Sequence, residues 1–446
     1  MTTREYDDAT RRLEDEALEF TRQLIRIESV NTGDLATIGN GETRAARLVQ
    51  EWLADAGIDG EFFEPHAGRG SFVARIPGTD AAAPALLAHA HLDVVPVDAR
   101  DWSAPPFAAE VREGYLYGRG AVDMKHFAGT LVAVLRHFAR AGIRPRRDLV
   151  VAFLADEEAG GVWGSRWLVR NRPDLFTGVS ESIGEVGGFS VPLDAAGERR
   201  AYLVATGEKG PATLRLTAHG EARHASRLER ANPLVALAEA VARIGAYRFP
   251  VARTRTLAAF LDAFGRARGQ QFAEATLEQD LAALDIAGPL VGASIRTTAT
   301  PTVLAAGLKP NVVPARASAQ VDVRVIPGQD ELVRATLREL AGPGIEIEEL
   351  AWYRGAESPA DGPFIDVLRE AIRVEDARGE VVPFLLPAST DNKHFSTLGI
   401  AGYGFTPLRV PAEFDVFGQF HAADERVPVD ALQFGVRVTA RILERA

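Results

Sequence analysis

The chain has 446 residues, 46% of them apolar and 25% charged, the make-up of a folded globular protein with room for two domains. A formal charge of −11 argues against a general nucleic-acid binder, and the absence of cysteine excludes disulfides and thiolate ligands, so any metal would be held by histidine and carboxylate. No apolar run approaches the ~18 residues of a membrane span, and the opening MTTREYDDAT lacks the charged-then-apolar layout of a secretion signal, so a cytoplasmic protein with no membrane partner is expected.

Apolar positions at helical spacing (Leu13, Ala17, Leu18, Phe20, Leu24, Ile25) predict a helix over 7–27, and 43–56 predicts a second, ended by Gly57. Alternation in EFFEP and SFVARIPG predicts strands that lead to the central stretch, Leu86 to Lys125. There an apolar run delivers His89, His91 and Asp93 at the end of a buried strand, where ligands gather in α/β folds. A period of two places His91 and Asp93 on one face, so the carboxylate can fix the ring's tautomer if the ring binds a metal. GYLYGRGAVD then brings up Asp123 ahead of a helix over 124–141. Its YGRG resembles a fragment of a phosphate loop but lacks the following Lys-Ser/Thr, and tight turns explain it better.

DLVVAFLADEEAGG reads as a buried strand ending in acids, GVWGSRWLVRNRPDLF as a helix, and ESIGEVGG as a strand or loop tipped by Glu185. Strands alternating with helices predict an α/β sheet with crossovers. Near Gly210 the pattern changes. PATLRLTAHGEARHAS alternates like a half-exposed strand, a helix follows with Asn232 as its cap, and 251–290 holds two or three polar helical segments, with Gln270 to Asp285 polar enough for a mobile loop. RASAQVDVRVIPGQDELVRATLRELAG returns as strand, turn and helix, and from about 330 the βα pattern resumes through GYGFTP and His421 to a closing helix. The domains expected are 1–209 and 330–446 as two parts of one α/β unit, with 210–329 inserted as a smaller α+β domain.

Seven ligand-type residues end strands or loops: His91, Asp93, Asp123, Glu157, Glu158, Glu185 and His421. A lone acid at a strand end is usually a solvated loop residue. This set, however, supplies what two nearby divalent ions need, including one carboxylate to share and one left over to take a proton from an activated water. The four lysines, Lys125, Lys209, Lys309 and Lys393, stand among 50 basic residues, and each falls inside a motif where an ammonium does what a guanidinium fork cannot.

Ten motifs (HLDVVP, the Trp102 to Phe107 segment, GYLYGRGAVDMK, ADEEAGG, GEVGG, GEKG, HAS followed by NP, NVVPARASAQVDVRVIPG, STD and HAADERV) resemble, in order and over nearly the whole chain, the co-catalytic dizinc aminoacylase/carboxypeptidase family. The resemblance implies a mixed-sheet peptidase domain with an inserted lid that dimerises, and two divalent metal ions, zinc first, with cobalt or manganese as alternatives. It implies that His91 and Glu185 hold one ion, Glu158 and His421 the other, and that Asp123 bridges them. Asp93 would orient His91, and Glu157 would be the general base. His224 would reach across a homodimer to the oxyanion, and Arg324 would receive the substrate's carboxylate. Asn311, Thr390 and the loop at Gly402 and Gly404 match segments that touch substrate. His89 matches no ligand position and reads as buried and hydrogen-bonded, and His126, His137, His219 and His394 read as structural. Three departures bear on the substrate pocket: DMKHF puts His126 and Phe127 near the site, Ala422 stands where glycine is common, and Lys393 where arginine is frequent.

The expected activity is hydrolysis of an amide in an N-acyl amino acid or small peptide with a free carboxylate, closest to the carboxypeptidase S and N-acyl-amino-acid hydrolase branch. The rivals are an aminopeptidase on di- and tripeptides, with Asp361, Asp391 or Glu413 holding the amine, and a silent scaffold homologue, which predicts loss of Glu157 or of a ligand. A dinuclear phosphoesterase would need cationic groups placed for phosphate, and the motif order does not support one.

Overall fold

The strand Ala85–His91 is buried at every position, as expected for a strand covered on both faces. Leu86, Ala88 and Ala90 point into the larger apolar core, while Leu87 joins a smaller core on the opposite face, the face shared by His89 and His91. This strand lies at the middle of a ten-stranded mixed sheet in the computed structural model, which describes residues 3–227, 231–284 and 287–446, with side chains from residue 8 onward. Leu149–Leu154 and Val179–Gly184 flank it in parallel, and Ala401–Gly404 runs parallel to the latter. Ser71–Ile76 adds an antiparallel edge, and Gly379–Leu386 pairs in parallel with Arg200–Glu208 on the far side.

The helices Thr3–Ile25, Lys125–Ala141 and Val429–Arg445 pack on one another over the larger core. Lys125 ties two of them together: its buried ammonium donates to Leu24 O at 2.9 Å and Ile27 O at 2.8 Å. No described helix is long and apolar enough to cross a membrane.

A second, four-stranded antiparallel sheet follows, in the order Thr298–Ala306, Arg316–Val325, Gly210–His219, Ile345–Trp352, with helices Pro233–Ala246 and Asp330–Ala341 on its apolar face. Its fourth strand lies beyond the boundary expected at 329. The helices Arg255–Arg268 and Ala287–Ser294 pack instead on Gly379–Leu386 of the large sheet, because Leu257, Phe260 and Leu290 face that core. The loop expected over Gln270 to Asp285 holds a 3-10 turn, Glu274–Thr276, and a helix, Leu277–Ala282, pinned by buried Leu277, Leu281 and Leu284; Asp285 lies outside the described residues. Strand runs directly into strand from one sheet to the other at Glu208–Gly210 and Trp352–Ala356. The crossings lie side by side, with Ala356 paired to Glu208.

Candidate metal centre

Three adjacent parallel strands end together at one edge of the large sheet, where open α/β sheets present functional groups. His91 ends the middle one, Glu157 and Glu158 open a 3-10 turn just beyond Leu149–Leu154, and Glu185 follows Val179–Gly184. Asp123 arrives from the loop before Lys125–Ala141, and His421 from the turn after Phe417–Gln419, at a φ of 61°.

The donor atoms form two trios that share one carboxylate. His91 Nε2 lies 3.0 Å from Asp123 Oδ1 and 3.3 Å from Glu185 Oε2. His421 Nε2 lies 3.2 Å from Asp123 Oδ2 and 3.3 Å from Glu158 Oε2. The two oxygens of Asp123 thus face two different histidines. Burial, then the Asp123 charge, pushes the Glu158 carboxyl up to about 8, and burial followed by the Glu157 charge holds Glu185 well above the carboxylate range. Hydrogen bonds to Asp123 and Glu158 raise His421 to about 10. Burial opposes a charge on His91, but the Glu185 charge and hydrogen bonds to Asp123, Asp93 and Glu185 outweigh it and hold the ring well above its ordinary value. Glu158 Oε1 is buried with no hydrogen-bond partner among the described residues. Three carboxylates with two imidazoles, arranged as two nitrogen-and-oxygen donor sets, fit a pair of divalent cations.

Glu157 stands apart from this pattern. One of its oxygens comes within 4.8 Å of donor atoms of His91 and Glu185, so closeness alone does not separate it from the trios. What does is Lys393, whose buried ammonium donates to Glu157 Oε1 at 3.0 Å and to Thr390 O at 2.9 Å. Burial opposes the ammonium's charge, but Glu157, Asp391 and Glu208 outweigh it and hold Lys393 above its ordinary value.

Asp93 lies behind the ring: His91 Nδ1 is 3.0 Å from its main-chain O and 3.4 Å from its carboxylate. That carboxylate also accepts from Asn31 Nδ2 at 2.8 Å and from the amides of Glu157 at 3.1 Å and Glu158 at 3.0 Å, so one residue positions both the histidine and the acidic turn. Arg69, paired with Glu42, donates to Asn31 Oδ1 at 2.8 Å and lies 3.3 Å from Asp156 Oδ1. The Asp123 loop wraps a second buried acid, Glu425, which accepts the amides of Gly120 at 3.0 Å, Val122 at 2.7 Å and Asp123 at 3.0 Å, and pairs with Arg119 at 2.7 Å. Sequence reasoning missed Asn31, Glu42, Arg69 and Glu425. Glu425 and Arg119 lay inside quoted motifs, whereas nothing in the spacing tied the other three to the site.

A cavity of about 790 Å³ opens over the trios, walled on the far side by Pro211, Thr213, Asp322 and Arg324 of the second sheet. Arg324 is held in a two-pronged pair by Asp322, at 2.8 and 3.1 Å. Thr390 faces away: its amide and hydroxyl both donate to Glu208 Oε2 at 2.9 Å. His224 and Asn311 are exposed and line no part of this cavity within a single chain; His224 Nδ1 lies 2.8 Å from Ser226 Oγ. His126 and Phe127, expected to narrow the pocket, are buried within their helix and do not reach it, because their positions face the core. His89 is pushed down to about 4 by burial, with Nε2 3.1 Å from Asn392 Oδ1. Asp391, a candidate amine holder, is buried against Ser165, while Asp361 and Glu413 are exposed.

Residues 87–445 match the model of peptidase family M20/M25/M40. The chain is 27% identical over 405 residues to N-fatty-acyl-amino acid synthase/hydrolase PM20D1 of Xenopus tropicalis, covering 84% of this chain and 75% of that protein. It is 28% identical over 408 residues to human aminoacylase-1, covering 90% and 89%. Its fold matches that of an M20 metallo-carboxypeptidase, Sso-CP2 of Sulfolobus solfataricus, with a TM-score of 0.73 at 19% identity over 96% of this chain and 99% of the other. The chain therefore belongs to peptidase family M20/M25/M40 and is a hydrolase of amide bonds.

Proposed function

We propose that this chain releases a free amino acid from an N-acyl amino acid or a small peptide that ends in a carboxylate. The observation that carries this reading is the arrangement around Asp123: two donor trios share its carboxylate, and a further acid beside them, Glu157, is paired with Lys393. His91 and Glu185 would hold one ion, His421 and Glu158 the other, with Asp123 between them. When bound, two divalent ions, zinc by the nature of the donors, acidify a water and polarise the scissile carbonyl. Glu157 takes the proton of the attacking water and returns it to the departing amine nitrogen. Asp93 holds His91 in its ligating tautomer. Arg324 receives the substrate carboxylate, its fork then shared with Asp322. The names of the PM20D1 and aminoacylase relatives favour N-acyl amino acids over peptides.

Two copies would pair through the second sheet. Its edge strand Thr298–Ala306 exposes Val303 and Leu304, and Leu308 beside it is fully exposed, an apolar edge that solitary proteins avoid. Pairing would bring His224 of one copy toward the cleft of the other, where an imidazole can stabilise the oxyanion.

The test is hydrolysis of a library of N-acetyl amino acids, N-long-chain-acyl amino acids and dipeptides by the metal-loaded protein, read by mass spectrometry. Free amino acid released by the wild type, with a loss of about 10²–10⁴-fold in Glu157→Gln at unchanged metal content, is the expected result. Equal turnover by both proteins would remove Glu157 from the mechanism.

A further inference from the structure

A second cavity, of about 740 Å³, adjoins the cleft over the metal centre and shares Arg166, Tyr353 and Lys393 with it. Arg166, Arg170 and Arg354 line it. Arg166 and Arg170 stand four residues apart on the helix Ser165–Asn171, hence on one face, where like charges oppose helix formation unless something balances them. Among the described residues none of the three has a carboxylate partner; Arg166 instead donates to the Tyr353 hydroxyl at 3.1 Å. The contrast with neighbouring arginines is direct. Arg172, just past the same helix, pairs with both Glu61 and Asp174, and Arg334 pairs with both Glu331 and Glu349.

The one acid on the cavity wall, Glu349, is taken by Arg334, and the charge of Lys393 is already met by Glu157. The buried ring of His394, also on this wall, is pushed down to about 3 by burial, then by the charges of Lys393, Arg166 and Arg170. An acidic chain has thus left three guanidinium groups, Arg170 and Arg354 of them exposed, without a carboxylate partner among the described residues around a space that adjoins the cleft.

We propose that this cavity is an anion subsite of the active site, which takes a carboxylate that the substrate carries remote from the scissile amide. This rests on the amidohydrolase reading above and narrows it: the preferred substrate bears two anionic groups, one for Arg324 and one for the Arg166 cluster. Guanidinium suits this task because its fork matches a carboxylate in two parallel hydrogen bonds.

The experiment compares substrates that differ only in that charge. In the metal-loaded protein, kcat/KM is measured for N-glutaryl-leucine against N-pentanoyl-leucine, and for N-acetylglutamate against N-acetylglutamine. A preference of tenfold or more for the charged member of either pair is expected. It should fall to within about twofold of unity in Arg166→Met, through KM, and be partly restored in Arg166→Lys. Because the reading is a ratio within one protein, a general loss of activity cancels. Calorimetric titration with glutarate and with inorganic phosphate accompanies it, on wild type and Arg166→Met. Ratios near unity in both pairs, or a preference that survives in an Arg166→Met/Arg354→Met variant, would overturn the proposal. So would phosphate binding as tightly as glutarate with no discrimination among substrates, which marks a free-anion site. If the wild type cleaves none of these amides yet binds glutarate in an Arg166-dependent way, the subsite stands and the N-acyl-amino-acid reading of the substrate falls.

Discussion

Lys393 shows how much one buried charge can decide. It donates to Glu157 Oε1 at 3.0 Å while anchored to Thr390 O, so the carboxylate proposed as general base is held by a fixed ammonium. Replacing it by Met would free that carboxylate to turn toward the ions; a loss of about 10²-fold in kcat is expected, with metal content unchanged by elemental analysis and part of the rate regained in Lys393→Arg. The ligands carry a pH prediction. Without metal, His421 is raised to about 10 by Asp123 and Glu158 and His91 is raised as well, so both rings hold protons at neutral pH. A cation must displace those protons, hence binding releases them and apparent metal affinity climbs as pH rises toward about 10. Calorimetry in buffers of differing ionisation enthalpy reads this directly, and an uptake of protons would contradict it. The ligand candidates themselves were legible because each ends a recognisable apolar run. Lys393 was flagged only as a departure, since sequence carries no sign that residues 157 and 393 meet.

At the scale of elements, loops are shaped around buried acids. The segment from Gly118 to Asp123 folds about the Glu425 carboxylate, which satisfies three amides that would otherwise be orphaned and neutralises Arg119. Glu425→Ala should therefore cost roughly 3–5 kcal/mol in chemical denaturation, by leaving a buried guanidinium unpaired. It should also weaken metal binding about 10–100-fold, by loosening Asp123. Unchanged affinity beside lost stability would confine Glu425 to the fold. Strand and helix order along the catalytic sheet could be read from alternation and from Gly57, which ends its helix as expected. Which helices serve which sheet could not. Arg255–Arg268 looks polar, and only the contact of Leu257 and Phe260 with the large core shows where it belongs.

At the scale of the molecule, the cleft lies between two sheets joined by adjacent crossings, and the second sheet offers its apolar edge to solvent. If that edge is a dimer seam, a Leu304→Asp/Leu308→Asp variant should run as a monomer by light scattering and lose turnover while keeping its metal, because His224 would no longer reach a neighbouring cleft. Active monomers would separate the seam from the chemistry. The second sheet was legible as a change of pattern at Gly210; its far limit was not, because Ile345–Trp352 alternates like any half-exposed strand and only its pairing with Gly210–His219 assigns it. The scarcity of lysine also acquires a meaning at this scale. Lys125, Lys209 and Lys393 are buried, each donating to main-chain carbonyls, and Lys209 so ties the first crossing to Ala293 and Arg296. Lys309 alone is exposed, on the turn after the second sheet's edge strand. For the bench chemist this is a natural handle: among the lysines, an amine-directed dye, spin label or surface coupling has one exposed address in the single chain, beside Leu308 of the proposed seam, in a native chain that needs no engineered cysteine.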